Sequence, residues 1–308
     1  MSEEVVTEKR VEEGPSPWRL MPETQLPRLR PFVKWVGSKR NLAARLAAKV
    51  PASWNPDKHQ YVEPFVGAGA LYWELRPKKA ILSDANAELM VAWEALADYA
   101  SKVVRELRTL ELDYRARPEE YYYEVRKQDP EDLDLVKRAA RFLFLNRTGW
   151  NGLYRVNKDG RYNVPWCRNP SVGIVDEACL VACAQVLAEN RPKILCGDFE
   201  KAGPVKKGAL VYLDPPYSPV SKTSSFTSFT ARGFGRADQE RLAEYADRLA
   251  RRCHVIASMS SEESTVELYR SRGFVCELVH SPHMINSKGD KRGEVGEYII
   301  MKSPGGEA

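Results

Sequence analysis

From Phe32 onward, short β-branched or apolar runs alternate with helical patterns, and this alternation limits the fold more than any other feature of the chain. Residues 61–66, 80–83, 194–196, 210–213, 255–258, 274–279 and 298–301 read as strands, with helices between them. Such an order predicts an α/β fold, a Rossmann-like doubly wound and mostly parallel sheet covered on both faces. One interval breaks the pattern. Between Asp84 and Lys193 the chain is dominated by helical periodicity at 89–112, 132–145 and 176–187, with one hairpin signal at Lys158-Asp159-Gly160. An inserted helical domain is therefore expected at 85–175, dividing a catalytic domain into 31–84 and 176–308. Residues 1–30 hold Pro15, Pro17, Pro22 and Pro27 without sustained periodicity and are expected to form a flexible extension.

At 308 residues and 43% hydrophobic side chains, the chain can bury a full core, and disorder throughout is excluded. No window approaches the ~20 apolar residues of a membrane span, and the start, Met1-Ser2-Glu3-Glu4, is acidic where a secretory signal is basic. A cytoplasmic protein without a membrane partner is expected. The six cysteines are too sparse for a disulfide framework and read as free buried thiols. Cys179 and Cys183 form no recognised ligand set with the four histidines, so no metal is expected.

Charge is concentrated. The whole chain carries a net +5, and residues 141–168, with six bases and the single acid Asp159, carry the same charge alone. Arg141, Arg147, Arg155, Lys158, Arg161 and Arg168 are interleaved with Phe142, Phe144, Trp150, Tyr154, Tyr162 and Trp166, a mixture suited to phosphates and bases. The alternative is a solvated hairpin over packed aromatic rings.

Two motifs carry chemistry. In Tyr61-Val62-Glu63-Pro64-Phe65-Val66-Gly67-Ala68-Gly69-Ala70-Leu71, a strand enters a Gly-x-Gly turn and then a helix, which lets a cofactor approach the backbone. Tight packing of the turn is the competing explanation, and Tyr72 replaces the third glycine of the dinucleotide fingerprint. Asp84 ends the next strand, placed for ribose hydroxyls or, alternatively, as a helix cap. The second motif, Val211-Tyr212-Leu213-Asp214-Pro215-Pro216-Tyr217, is more specific. A strand delivers a carboxylate, and two prolines remove the amide donors that follow it. Only acceptors then face the cleft, which suits an exocyclic amino group, with Tyr217 able to stack on its ring.

The order Phe32-Val33-Lys34-Trp35-Val36-Gly37-Ser38-Lys39, Glu63 to Gly69, Asn146-Arg147-Thr148-Gly149-Trp150-Asn151-Gly152-Leu153-Tyr154-Arg155, then Asp214 to Tyr217 resembles the Dam-type (D12 class) DNA adenine N6-methyltransferases over nearly everything after residue 31. The resemblance implies an S-adenosylmethionine-dependent methyltransferase fold whose inserted helical domain and hairpin recognise double-stranded DNA. It assigns Trp35, Lys39, Glu63, Phe65, Gly67, Ala68, Gly69, Asp84, Asp198, Phe199 and Asp214 to S-adenosylmethionine. Asp214, Pro215, Pro216 and Tyr217 would hold the flipped adenine. To DNA it assigns Lys34, Trp150, Asn151, Leu153, Arg155, Lys158, Asn163, Pro165 and Arg168, together with Asn286, Lys288 and Arg292 of a late basic loop. Trp150 stands where Dam itself has tyrosine, and after Arg168 the chain passes directly to Asn169-Pro170, so the recognition sequence is left open.

The activity so implied is transfer of a methyl group to the N6 amino group of adenine in DNA. Two other readings compete: a methyltransferase of RNA or protein amides, against which Asp214 and the basic hairpin count, and a non-catalytic DNA-binding regulator, against which Asp214, Gly67 and Gly69 count. A restriction-modification, phage or replication-linked role is not distinguished. The oligomeric state is open, with a monomer favoured.

Overall fold

A computed structural model describes residues 29–216, 233–282 and 294–306. The expected site residues Tyr217, Asn286, Lys288 and Arg292 lie outside these. The first strand, β1, spans Gln60–Glu63 and stops where Pro64 removes the next amide donor, short of the expected end at Val66. The others are β2 (Lys79–Asp84), β3 (Lys193–Cys196), β4 (Leu210–Leu213), β5 (His254–Ser260), β6 (Val275–Pro282) and β7 (Glu294–Lys302). They form one seven-stranded sheet of order β3-β2-β1-β4-β5-β7-β6. β1 to β5 run parallel, while β7 lies antiparallel between β5 and β6. The expected mostly parallel, Rossmann-like sheet is present. β7 is longer than the 298–301 run because β6 pairs with Gly296 and both β5 and β6 pair with Glu297, keeping them in the ladder without any apolar pattern.

Side chains alternate across the strands, so each strand feeds two cores. Tyr61, Leu82, Leu210, Tyr212 and Ile256 face one side. Against them pack α1 (Ala43–Ala47), α2 (Ala70–Leu75), α3 (Ala87–Ala116), α5 (Leu135–Thr148) and α6 (Glu177–Asn190). Val62, Ile81, Val211, Leu213, Val255 and Ala257 face the other side, covered by α7 (Arg236–Ala250) and α8 (Glu263–Arg270).

Between β2 and β3, side-chain caps set where the helices begin. Asn86 accepts the Leu89 amide at 3.0 Å and starts α3, which breaks its helical geometry at Tyr99 (φ −136°, ψ 32°). Asp134 accepts the Lys137 amide at 2.9 Å, so α5 begins at Leu135 rather than at 132. A further helix, α4 (Pro118–Lys127), buries only Tyr122 and Val125, a stripe too short to announce it; Pro118 at its start, Glu119 and Glu120 in its first turn and Arg126 and Lys127 in its last suit the helix dipole. These helices join the same continuous apolar core as the sheet face beneath them.

Cys179, Cys183 and Cys253 are buried free thiols as expected. Cys196 is exposed, contrary to expectation, because it ends the edge strand β3 with no neighbour beyond it. No helix among the described residues is long and apolar enough to cross a membrane.

Candidate active site

In a parallel sheet the carboxyl ends of the strands share one edge, and here three of them deliver acids: Glu63 from β1, Asp84 from β2 and Asp214 just after β4. Asp84 joins two loops. One oxygen accepts the Gly67 amide at 3.1 Å and the other the Asn86 amide at 3.0 Å, so Asn86 caps α3 while Asp84 braces the glycine turn. Gly67 (φ +46°) and Gly69 (φ +68°) adopt left-handed backbone. A Cβ on Gly67 would lie 2.7 Å from the Trp35 ring, and one on Gly69 would lie 2.7 Å from the Trp93 ring. Packing alone thus requires both glycines. From behind, the Trp73 indole donates to the Ala68 carbonyl at 2.9 Å and the Trp93 indole to the Gly67 carbonyl at 3.1 Å, the two rings stacked 5.2 Å apart. Neither tryptophan belongs to a motif, and the sequence reading missed both.

Asp214 lies 3.0 Å from the Lys39 ammonium, which is 4% exposed and also donates to the Gly37 carbonyl at 2.7 Å. Pro215 and Pro216 follow, and the buried Gln239 of α7 donates to the Pro216 carbonyl at 3.3 Å. Burial pushes the Asp214 carboxyl up to about 6, against the pull of Lys39. Asp84 likewise rises to about 6 through burial, opposed by the amides of Asn86 and Gly67. Glu63 is driven well above the usual carboxylate range by burial, opposed by the Tyr61 hydroxyl, which donates to it at 2.8 Å; Asp214 and Asp84 are close enough to raise it further.

On the far side of the glycine turn Asp198 and Phe199 stand beside Phe65. The Phe65 and Phe199 rings are 5.5 Å apart, and Phe234 closes on Phe65 at 5.8 Å. Asp198 pairs with Arg241 at 2.6 Å, and the Arg241 guanidinium covers the Phe199 ring at 4.5 Å. The sequence reading missed Phe234 and Arg241, which carry no local signal because their partners are distant in the chain, Asp198 for Arg241 and Phe65 for Phe234.

The residues expected at DNA form a second group, joined to the first. Asn146 accepts the Lys34 amide at 2.9 Å and donates to the Lys34 carbonyl at 2.8 Å, tying α5 to the amino-terminal motif. Gly152 sits so close to the Lys34 side chain that a Cβ would approach it to 2.7 Å. The hairpin is narrow, held by isolated bridges Gly149 to Trp166 and Val156 to Tyr162, and it turns at Lys158-Asp159-Gly160, where Gly160 has φ +75°. Tyr154 lies 6.0 Å from Trp35, so the hairpin base adjoins the glycine turn. Trp150 is 45% exposed, and Lys34, Asn151, Lys158, Pro165 and Arg168 are exposed as well. Leu153 is half-buried. Arg155 is not free, since its guanidinium donates to the Asn163 side chain at 2.7 Å and to the Asn163 carbonyl at 3.2 Å.

A mostly parallel sheet with α-helices on both faces, acids at three adjacent strand ends and a glycine turn after the first strand defines a Rossmann-like methyltransferase fold. The model of the D12 class N6 adenine-specific DNA methyltransferase family matches residues 35–284, and the chain belongs to that family. It is 38% identical to the type II methyltransferase M.MjaIII of Methanocaldococcus jannaschii, over 89% of this chain and 99% of that protein. It is 36% identical to the type II methyltransferase M1.LlaDCHI of Lactococcus lactis subsp. cremoris, over 88% and 95%. A DNA adenine methylase of Vibrio cholerae is 29% identical over 89% and 96%. The chain is an adenine-specific DNA methyltransferase.

Proposed function

We propose that the enzyme takes its methyl group from S-adenosylmethionine and places it on N6 of an adenine turned out of double-stranded DNA at one short recognition sequence. The observation that carries this reading is Asp214: a carboxylate at the end of β4, beside a buried lysine, followed by two residues without amide donors. Hydrogen bonds from the adenine amino group to Asp214 and to the Pro215 carbonyl would draw the nitrogen lone pair out of the ring and favour a more tetrahedral nitrogen as the bond forms. Pro216, held by Gln239, keeps that segment in place, and Tyr217 would stack on the base.

The cofactor fits the residues present. Glu63, Asp84 and Asp214 are all raised in pKa by burial, and a cationic sulfonium relieves their crowding. Trp35, Lys39, Glu63, Phe65, Gly67, Ala68 and Gly69 would surround its methionine part, Asp84 the ribose, and Asp198 with Phe199 the adenine ring. When bound, it supplies an activated methyl group without any metal. Residues 31–84 and 176–308 would form the catalytic part, and 85–175 the DNA-reading part.

In that part Trp150 would wedge into the duplex. Lys34, Asn151, Leu153, Arg155, Asn163, Pro165 and Arg168 would line the bases and backbone, with Lys158 and the later Asn286, Lys288 and Arg292 on phosphates. Single-molecule sequencing of DNA from cells expressing the protein tests this reading. N6-methyladenine in one short sequence context is expected; unmodified DNA, or methylation of cytosine, would contradict it.

A further inference from the structure

Lys39 serves two carboxylates. Besides Asp214 at 3.0 Å, its ammonium lies 3.7 Å from Glu297, a distance at which the second acid acts by charge rather than by a hydrogen bond. Glu297 reaches the site from the antiparallel side of the sheet. Because β7 runs against its neighbours, its early residues come to the edge where the parallel strands end, and Glu297 pairs there with Ser260 at the end of β5. The Glu297 side chain is 17% exposed and Asp214 is 18% exposed, so both acids are largely out of water. Asp214 and Lys39 already balance each other. Glu297 adds a second anion within charge range of that ammonium and competes with Asp214 for it.

We propose that Glu297 is a positioning residue: it draws the Lys39 ammonium partly off Asp214, so that the Asp214 carboxylate stays a strong, accessible acceptor for the amino group of the target adenine. This rests on Asp214 as the amino-group acceptor. An ammonium fully committed to Asp214 would occupy its lone pairs and weaken it as an acceptor, whereas one shared with Glu297 and anchored on the Gly37 carbonyl at 2.7 Å holds a fixed place between the two. Around Asp214 stand Lys39 before α1, Glu63 on β1, Tyr212 on β4 with its hydroxyl on Ser258 of β5, and Glu297 on β7. Of these, Lys39 lowers the Asp214 pKa and Glu297 raises it. Neutralising Glu297 must therefore move the Asp214 titration to lower pH.

The test compares wild type, Glu297→Gln, Glu297→Asp and Asp214→Ala in initial transfer rates across the pH range, with cofactor affinity by calorimetry on the same samples. Glu297→Gln is expected to lower kcat about tenfold, keep cofactor affinity within about twofold, and move the acid limb of kcat/KM to lower pH by roughly half a unit. Glu297→Asp, which keeps the charge, should hold the wild-type limb and recover most of kcat. Where the glutamine variant does not fold, Glu297→Met provides an uncharged side chain of similar length, and the same shift is expected. An unmoved limb in the neutral variants overturns the proposal, whether kcat is unchanged or lowered. An active Asp214→Ala would instead overturn the acceptor reading beneath it, while an inactive Asp214→Ala beside an unaffected Glu297→Gln removes only the role of Glu297.

Discussion

Asp214 accepts a hydrogen bond from an amino group most strongly as an ionised carboxylate, with no O–H of its own to compete, and its burial places that ionisation near pH 6. Activity should therefore fall as pH drops through about 6. Lys39 holds the carboxyl below the value that burial alone would give, so Lys39→Ala should raise it and move the acid limb upward. Initial rates measured from pH 5 upward check this, and a limb that stays in place or moves down contradicts it. At this scale the sequence was most readable where one short motif holds both the proposed acceptor and its setting, as in Asp214-Pro215-Pro216. Glu297, Arg241 and Phe234 were not readable. Each acquires its meaning from a partner far away in the chain, Lys39 for Glu297, Asp198 for Arg241 and Phe65 for Phe234.

Among the elements, the glycine turn is the most tightly determined. Gly69→Ala would force a left-handed backbone on a residue with a side chain and press its Cβ to 2.7 Å from Trp93, at a combined cost of at least about 2 kcal/mol. A thermal melt should show a fall of several degrees; an unchanged melt would mean that the two tryptophans yield. The hairpin makes a different prediction. Lys158 is exposed at its turn, so Lys158→Ala should weaken binding to all DNA sequences alike and reduce the salt slope by about one. Arg155→Ala should relax sequence preference, and its link to Asn163 means the hairpin is expected to loosen with it. Rates on the cognate site and on single-base variants, repeated at several salt concentrations, separate the two roles, and a common slowing at every site in Arg155→Ala would deny it base reading. The hairpin turn was legible from Lys158-Asp159-Gly160 because turn chemistry is local. The end of β1, the existence of α4 and the length of β7 were less so: a proline, a helix with charged ends and a strand held from both sides each depart from simple apolar periodicity.

At the scale of the molecule, the alternation of strands and helices gives a sheet whose two faces are both covered, leaving its carboxyl edge as the place where loops from distant parts of the chain meet. Glu63, Asp84 and Asp214 come to that edge from three different strands, Lys39 from ahead of the first and Glu297 from the last. The helical interval between β2 and β3 then places the basic hairpin against the same edge through Tyr154 and Trp35. The central claim, that this edge binds the methyl donor through the glycine turn and the acceptor nitrogen through Asp214, is tested most directly by Asp214→Ala. Calorimetry with S-adenosylmethionine and a tritiated-methyl transfer assay on DNA would be run on one preparation. Loss of a charge-assisted hydrogen bond costs at least ~2 kcal/mol, so cofactor binding nearly intact with transfer reduced by about 10² or more is the expected result. Transfer within about tenfold of wild type would contradict the account.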